Sequence, residues 1–419
     1  MKDWAPADLP FFEPRHHAVA AMAKAWSGPA HGAKPGHLLE EARQIVRSFA
    51  GTGLLDIVVP HAERGKAVFD VRAICIAREA LAYRNVLADA MFTMQGLGTA
   101  LIGLHGTPAQ KSRYLPPARA GESIAALAIS EPDAGSYVAA IATTARTDGD
   151  GFVLDGHKTW ISNAGIADHY IVLARTEEAP GARGLSAFIV DAGAPGLSTT
   201  PIDLIVPHPL GSLTFDACRL PKSALLGARG EGFKLAMATF DYFRPSVGAA
   251  AVGAAKRALD ESLHRVRERR MFGRSMSQLE GVQAKLADMT VDVETAALSV
   301  YRAAWQKDTR GSRSTLEASI AKLVATEAAQ RVVDSAVQLF GGMGVVEGGI
   351  IGQLYREVRP MRIYEGASEV QKLVIARNVL GATEVQPALA DRASASQTTD
   401  KTVLSSHAAP EGRPPGLLP

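Results

Sequence analysis

The chain has 419 residues, 47% of them hydrophobic and 21% charged, which predicts two or three domains with real cores. Its 45 basic and 43 acidic residues give a net charge of +2, and this even mixture argues against a nucleic-acid or anionic-membrane partner. Cys75 and Cys218 stand far apart with no CxxC pair, so we predict neither a disulfide framework nor a metal site, and we expect a reducing compartment.

The first residues, MKDWAPADLPFF, lack the apolar region of a signal peptide. The longest run of small apolar residues, VGAAAVGAA at 247–255, is too short to span a bilayer. We therefore expect a cytoplasmic protein with no membrane partner.

Residues 15–120 are predicted to be helical. The stretches PGHLLEEARQIVRSFA and VRAICIAREALAYRNVLADAMFTM carry apolar residues three and four positions apart, and glycine and proline break the pattern at 51–53 and 106–108. The pair His16–His17 has no partner at metal-ligand spacing, so we expect both at the surface. We assign residues 1–123 to an N-terminal helical domain.

From about residue 124 the pattern changes to short β-rich runs. Stretches such as IAALAIS, GFVLDG, HYIVLART and LSAFIVD are separated by Gly, Pro and Asp turns. Repeated short strands of this kind predict a barrel or sandwich, and we assign residues 124–231 to a central β domain.

Helical patterns return after Gly232, with predicted helices at about 233–270, 278–307, 314–340 and from 368 onward. Ser314 with Glu317, and Ser368 with Gln371, have the spacing of a capping box. We assign residues 232–382 to a C-terminal four-helix bundle. Residues 383–419, rich in Ala, Ser, Thr and Pro, are predicted to be a disordered tail. The fold class is α+β multidomain.

The glycine-rich stretch GGMGVVEG at 341–348 invites a dinucleotide-binding interpretation, which we reject. Glu347 stands in place of the third glycine, and a helix rather than a strand precedes the motif. Gly341 and Gly342 are better interpreted as a helix end that brings bare backbone close to a ligand.

Two stretches of the β region place polar groups beside tight turns. In ALAISEPDAGSY, Ser130 and Ser136 offer hydroxyl and backbone donors, although an ordinary β-turn would look the same. In GHKTWISNAG, Trp160 with Ser162 could lie against a planar ring system, and a half-buried core tryptophan is the alternative.

An arginine cluster, with Arg269, Arg270 and Arg274, lies at a predicted helix end in RERRMFGRS. Such a cluster could clamp phosphates by charge-assisted hydrogen bonds, whereas a solvated charged face is the alternative. No GxSxG, HExxH or P-loop motif occurs, so the sequence gives no support to a hydrolase or kinase.

The stretch MRIYEGASEVQKLVIARNVLG holds a single carboxylate, Glu365, just before a predicted helix that Gly381 ends. In this order, the stretches described above resemble the acyl-CoA dehydrogenase family, above all its medium-chain and short-chain members. The resemblance covers about residues 35–382 and rests on ISEPDAGS, GHKTWISNAG, FDYFRP with RRMFG and LADM, and QLFGGMGVVEG with IYEGASEVQKLVIAR.

The resemblance implies an FAD-dependent α,β-dehydrogenation of an acyl-CoA thioester to a trans-2-enoyl-CoA, with electrons passed to an electron-transfer flavoprotein. It also implies a homotetramer, a dimer of dimers, whose subunits each hold FAD between the β domain and the bundle.

The resemblance also implies roles for individual residues. Glu365 matches the catalytic base. The residues implied in FAD binding are Leu127, Ser130, Ser136, Trp160, Ile161, Ser162, Arg269, Phe272, Glu280, Gln338, Gly341, Gly342, Ala367 and Glu369. Those implied in substrate binding are Ser136, Asp241, Arg244, Tyr364 and Gly366. Arg269, Phe272 and the segment 338–342 are implied to reach the FAD of a neighbouring subunit.

A carboxylate is a weak base for the α-proton of a thioester, so the site must stabilise the enolate-like oxygen, with the backbone N–H of Glu365 as one donor. Burial should raise the pKa of Glu365, while the nearby helix N-terminus opposes that shift. Gly366 gives the backbone room to point its N–H inward.

The sequence departs from the family pattern at Tyr137, Glu280 and Ala367, where most relatives have Asp, Gln and Thr. Two other functions remain as alternatives: an oxygen-using flavin oxidase or monooxygenase, and a low-turnover flavin-containing binding protein. A third, a decarboxylating glutaryl-type enzyme, is disfavoured. The last would need a channel arginine, and Ala88 stands at that position. Isovaleryl-type relatives carry their base at the position of Phe243, which cannot accept a proton.

Overall fold

A computed structural model describes residues 9–29, 36–61, 68–176, 179–311 and 314–381 of the chain. The chain divides into two compact units, 1–375 and 376–419. The second unit is described only over 376–381, the end of the last helix. The predicted disordered tail at 383–419 lies outside the described residues.

The N-terminal region is helical, as predicted. Its helices are α1 (Pro14–Ala25), α2 (Leu38–Ser48), α3 (Leu55–Val58), α4 (Val71–Arg84), α5 (Val86–His105) and α6 (Pro108–Arg119). Asp70 and Asn85 cap α4 and α5, because their side chains accept hydrogen bonds from the backbone N–H groups of Ala73 (3.0 Å) and Ala88 (3.2 Å).

Helix α5 is long and apolar enough to cross a membrane, judged by its length and composition alone: its most apolar 18-residue stretch has a mean hydropathy of 1.2. In the structure 89% of that stretch is buried inside the protein. The helix packs against α4 and α6, so its apolar surface is part of the core.

The prediction that both histidines of the His16–His17 pair lie at the surface is wrong for His16. His17 is exposed, but His16 is fully buried, and its Nε2 lies 3.2 Å from each carboxylate oxygen of Asp70. Its Nδ1 accepts a hydrogen bond from the N–H of Glu13 at 2.9 Å. Burial lowers the pKa of His16 despite the neighbouring carboxylate. His16 therefore joins the start of α1 to the start of α4.

The central region forms the predicted β domain. Its strands are β1 (Ala125–Ala128), β2 (Thr144–Asp148), β3 (Gly151–Ser162), β4 (His169–Arg175), β5 (Leu185–Asp191), β6 (Leu197–Pro201), β7 (Leu210–Pro221) and β8 (Leu225–Leu226). The sheet order is β6-β7-β3-β2-β4-β5-β8, and β1 pairs in parallel with β4. Because β1 also contacts β3, the turn that follows β1 lies beside the end of β3 that carries Trp160.

The C-terminal region consists of α7 (Gly232–Glu268), α8 (Glu280–Arg310), α9 (Thr315–Phe340), α10 (Ile350–Val358) and α11 (Ser368–Leu380), with the short strands β9 (Arg270–Met271) and β10 (Arg274–Ser275) between α7 and α8. The sequence analysis does not predict α10, although Ile351, Leu354 and Val358 have helical spacing and are buried. Gly381, with φ 83°, ends α11 as predicted.

Both predicted capping boxes are wrong. The Ser314 side chain makes no capping hydrogen bond, and its hydroxyl is buried without a partner among the described residues. Ser368 is the first residue of α11, and its hydroxyl donates instead to Glu327 at 2.5 Å. Gln371 donates to the backbone before the helix. For Ser368 a distant carboxylate has replaced the local partner, whereas Ser314 has no partner among the described residues.

The buried apolar residues form two cores that meet along α4 and α7. One core contains Ile74 of α4 and Phe243 of α7 together with the sheet. The other contains Cys75 of α4 and the later part of α7 together with α8 and α9. Two of the residues predicted to bind substrate, Asp241 and Arg244, lie on α7 beside Phe243.

Candidate active site

Glu365 lies in the short segment between the turn at Pro360–Arg362 and helix α11. Its φ of 51° lies in the left-handed region that non-glycine residues rarely adopt, and Gly366 follows with φ 92°. A Cβ on Gly366 would come within 2.3 Å of the Gln371 Nε2 atom. Because L side chains rarely adopt this backbone conformation, glycine fits best directly after Glu365.

The carboxylate of Glu365 is buried although the residue as a whole is half-buried. Its Oε2 has no hydrogen-bond partner within the part of the chain that the structure describes. Burial raises the pKa of Glu365, because desolvation disfavours the ionised form. An unpaired buried carboxylate lowers the stability of a fold. Its presence therefore indicates a group that serves in catalysis.

Charged side chains from four helices act on Glu365. The positive charges of Arg78, Arg244 and Lys322 lower its pKa, and the negative charge of Asp89 raises it. Burial outweighs these charges, so the net direction is upward. The three cations belong to α4, α7 and α9, and Asp89 belongs to α5.

Arg78 and Asp89 form a buried ion pair beside this segment. The Arg78 Nε and Nη2 atoms each donate to an Asp89 carboxylate oxygen at 2.8 Å, and Nη1 donates to Ser246 at 2.9 Å. Arg78 is 1% exposed. Because its guanidinium is already bound to Asp89 and Ser246, it is not presented to a second carboxylate from a substrate.

Arg244 and Tyr364 complete the group of predicted substrate residues near Glu365. Arg244 Nε is buried and has no hydrogen-bond partner among the residues described. Burial lowers the pKa of Arg244, and the charge of Glu365 opposes that shift. Tyr364 is 39% exposed, yet burial of its hydroxyl raises its pKa. Asp241 is half-buried on the same helix as Arg244.

Trp160, a predicted FAD residue, lies near the end of β3 at a break in the strand pairing. The register of β3 against β7 shifts between Lys158 and Ile161. Trp160 has φ 59° and is 59% exposed. This bulge turns a large aromatic ring outward, so the alternative of a half-buried core tryptophan is wrong.

A buried ion pair supports the Trp160 bulge from beneath. The Nζ atom of Lys158 donates to Glu131 at 2.8 Å and to the carbonyl of Ile129 at 3.0 Å. The N–H of Thr159 donates to the carbonyl of Ser130 at 3.0 Å. These bonds join the ISEPDAGS and GHKTWISNAG stretches, and Ser136 is exposed in the same turn region.

Other predicted FAD residues on the strands are less accessible. Leu127 is half-buried and Ile161 is buried. The hydroxyl of Ser162 lies 2.7 Å from Nε2 of His208, whose pKa burial lowers to about 4. Since the imidazole is then neutral, Ser162 has a histidine partner that the sequence analysis did not foresee.

The residues predicted to reach a neighbouring subunit's FAD lie on the surface. Phe272 is 87% exposed with φ 51°. Also exposed in this set are Arg269, Gln338, Gly341 and Gly342. Glu280, which the resemblance implies in FAD binding, is exposed too. The guanidinium of Arg265 lies 5.7 Å from the ring centroid of Phe340, so the Arg269 and Gly341 segments are neighbours. Ala367, next to Gly366, is half-buried, and Glu369 is exposed in the first turn of α11.

The sequence analysis missed Arg78, Asp89, Lys322 and His208. A signal existed for the first three, because each is a charged residue inside an otherwise apolar helical stretch, where charges are rarely buried unless they are used. No comparable pattern marks His208, which belongs to the loop between β6 and β7.

Models of the acyl-CoA dehydrogenase N-terminal, middle and C-terminal domains match residues 18–122, 126–218 and 230–380. A curated relative, the 3-(aryl)acrylate reductase of Clostridium sporogenes, is 38% identical over 81% of this chain and 91% of its own length. The chain belongs to the acyl-CoA dehydrogenase family. The human mitochondrial short-chain specific acyl-CoA dehydrogenase is also 38% identical, over 82% of this chain and 84% of its own length.

Solved structures of acyl-CoA dehydrogenases have the same fold. Butyryl-CoA dehydrogenase from Megasphaera elsdenii superposes with a TM-score of 0.79 at 30% identity, over 88% of this chain and 99% of that one. An acyl-CoA dehydrogenase complexed with FAD from Bacillus anthracis gives 0.80 at 28% identity, over 88% and 67%. A chain from work on the electron transferring flavoprotein of Acidaminococcus fermentans gives 0.80 at 32% identity, over 88% and 98%. The predicted fold class is confirmed, while the domain boundaries stay predictions.

Proposed function

We propose that this chain oxidises an acyl-CoA thioester to a trans-2-enoyl-CoA, with Glu365 as the base and FAD as the cofactor. The observation that carries the proposal is the carboxylate of Glu365, which is buried and unpaired among the described residues yet faced by three cations. Such a group is poised to take a proton from a ligand rather than to stabilise the fold.

Glu365 takes the proton from Cα of the thioester. Because that carbon acid is weak, a carboxylate of raised pKa is a better match for it than an ordinary one. The backbone N–H of Glu365 makes no backbone hydrogen bond among the described residues, which leaves it available to the thioester oxygen. Negative charge that develops on this oxygen would be stabilised there.

When bound, FAD would supply the acceptor for the hydride that leaves Cβ of the thioester. Several features of this chain fit a large planar cofactor with a pyrophosphate. The exposed, strained Trp160 offers a ring face, and Ser136 is exposed as well. Gly135, Gly341 and Gly342 leave open space where a side chain would otherwise be. Arg269 is exposed and bears a charge suited to phosphate.

We further propose an electron-transfer flavoprotein as acceptor and a homotetramer, a dimer of dimers, as the assembly. The exposed Phe272 and the exposed apolar residues Met343 and Val345 support an interface at this end of the bundle. A cytoplasmic location is proposed from Cys75 and Cys218, both buried and free.

Reduction of an enoyl or acrylyl thioester is a second candidate, favoured by the similarity to the 3-(aryl)acrylate reductase. The same residues would serve it, because Glu365 would return a proton to Cα in the reverse direction. Assays in both directions distinguish the two: anaerobic reduction of bound flavin by acyl-CoAs, and oxidation of reduced flavin by enoyl-CoAs.

The test is the substitution Glu365→Gln, which keeps shape and polarity but removes the base. Flavin reduction by saturating butyryl-CoA, followed by stopped flow, should slow by about 10²–10⁴-fold. In the unaltered protein the rate should fall as the pH drops through the raised pKa of Glu365, because the protonated carboxyl accepts no proton. Glu122→Gln is the matched control, since Glu122 is an exposed carboxylate after α6 with no predicted role in the site. A Glu365→Gln protein that reduces its flavin at nearly the original rate would show that the base is another group.

A further inference from the structure

We propose that Lys322 is a positioning residue for the catalytic turn, defined here as Tyr364, Glu365 and Gly366. Its ammonium group holds the carbonyl of Gly366 and presents a positive charge to the carboxylate of Glu365. This inference rests on the proposed function, because it assigns Lys322 a task only if Glu365 is the base.

The hydrogen bond of Lys322 is unusual for a buried lysine. Lys322 is 0% exposed on α9, and its Nζ donates to the carbonyl of Gly366 at 2.8 Å. Two other buried lysines of this chain pair directly with carboxylates, Lys158 with Glu131 and Lys256 with Glu79. Within the described residues no carboxylate lies within 4 Å of Lys322, so its charge is not cancelled by an ion pair.

Since an unpaired buried ammonium is costly, its retention needs a reason. Burial lowers the pKa of Lys322 to about 8, and the charge of Glu365 is the first of those that oppose this shift. Glu327 and Glu369 act in the same direction as Glu365, and Arg244 acts against them. The strongest electrostatic partner of Lys322 is therefore the base itself.

The backbone of the catalytic turn also needs support. A non-glycine residue at φ 51° is strained relative to ordinary backbone, and it persists only where contacts fix it. Gln371 supplies a second donor, at 2.9 Å from the Gly366 carbonyl and 3.3 Å from the Glu365 carbonyl. Lys322 and Gln371 thus hold the turn from two helices.

Lys322 carries a charge and Gln371 does not. Comparing their variants therefore separates the effect of positioning the catalytic turn from the effect of the charge on Glu365. The groups that face Glu365 from the packed elements are Arg78 on α4, Asp89 on α5, Arg244 on α7 and Lys322 on α9. Arg78 is neutralised by Asp89. Removing Lys322 therefore removes charge and a hydrogen bond, whereas removing Gln371 removes hydrogen bonds alone.

The experiment compares Lys322→Met, Lys322→Arg and Gln371→Leu by stopped-flow flavin reduction with butyryl-CoA across pH. For Lys322→Met we expect the rate of flavin reduction at pH 7 to fall by about ten- to a hundredfold. The midpoint of the pH–rate profile should rise by about one pH unit, because loss of the positive charge raises the pKa of Glu365. Lys322→Arg should restore most of the rate and the midpoint. Gln371→Leu should slow the reaction without moving the midpoint.

The matched control is Lys234→Met, which removes one charge at an exposed position on α7 and should change neither quantity. A midpoint in Lys322→Met equal to that of the unaltered protein would overturn the electrostatic role, and an unchanged rate would overturn the inference as a whole. If Lys322→Met does not fold, the other two variants decide. The inference is refuted if Gln371→Leu reduces its flavin at the unaltered rate while Lys322→Arg reacts far more slowly than the unaltered protein. Failure of the unaltered protein to react with any acyl-CoA or enoyl-CoA would instead refute the proposed function.

Discussion

Glu365 and Trp160 share an unusual backbone conformation but lie in opposite surroundings. Their φ angles are 51° and 59°, both in the left-handed region. The Glu365 carboxylate is buried and faces cations from three helices, whereas the Trp160 ring is 59% exposed. The same kind of backbone strain is therefore found beside a buried carboxylate and beside an exposed aromatic ring.

The two strained residues differ in the role that we propose for each. Glu365 is held by Lys322 and Gln371 and surrounded by charges, so its region is preorganised for chemistry from within. Trp160 is held from beneath by the Lys158–Glu131 pair, and its outer face is left for a ligand. We expect substitutions near Glu365 to change stability and rate, and substitutions near Trp160 and Arg269 to change binding.

The largest effect on stability is expected for Asp89→Asn. This change leaves the charge of Arg78 buried without its partner, and breaking a buried pair costs about 3–5 kcal/mol of unfolding free energy. It also removes a negative charge from the surroundings of Glu365, so the pKa of Glu365 should fall. Urea unfolding of the FAD-free protein measures the first effect.

The matched control for Asp89→Asn is Asp148→Asn, in the exposed pair with Arg219. A surface pair contributes about 0–1 kcal/mol, so little change is expected. Equal losses for both variants would mean that burial does not distinguish the two pairs.

A smaller effect, on binding rather than folding, is expected for Arg269→Ala. Loss of a charge-assisted phosphate contact worth about 1.5–3 kcal/mol should weaken FAD binding by about ten- to a hundredfold. The melting temperature of the FAD-free protein should not change, because Arg269 is exposed. Arg267→Ala, also exposed near the end of α7, is the control. A monomeric protein that keeps FAD at full affinity would contradict the assignment across subunits.

The smallest effect on stability is expected for Trp160→Gly. Glycine relieves the left-handed strain, and little buried area is lost, so the unfolding free energy of the FAD-free protein should change by less than about 1 kcal/mol. The same protein should bind FAD more weakly. Trp26→Ala is the contrast, because Trp26 is 2% exposed and truncation in a core costs about 3–5 kcal/mol. A large loss of stability in Trp160→Gly would show that the ring packs against the protein.

Much of the fold could be predicted from the sequence, because helices and strands follow from the local spacing of apolar residues. The breaks at glycine and proline, the change to strands near residue 124 and the end of α11 at Gly381 all appear in the structure. Helix α10 was missed, since nine residues between Gly349 and the Arg359–Pro360 pair give a weak pattern. The single carboxylate at Glu365 was also evident, because its motif is local.

The surroundings of Glu365 were decided by the tertiary structure. Lys322 meets a carbonyl 44 positions away, and Arg78 meets a serine 168 positions away. The same holds for His16, which was expected at the surface but is buried beside Asp70. It also holds for Ser368, which was expected to cap its helix but donates to Glu327. Sequence spacing shows that a charge lies in an apolar stretch, but the group that compensates its burial is set by which helices pack together.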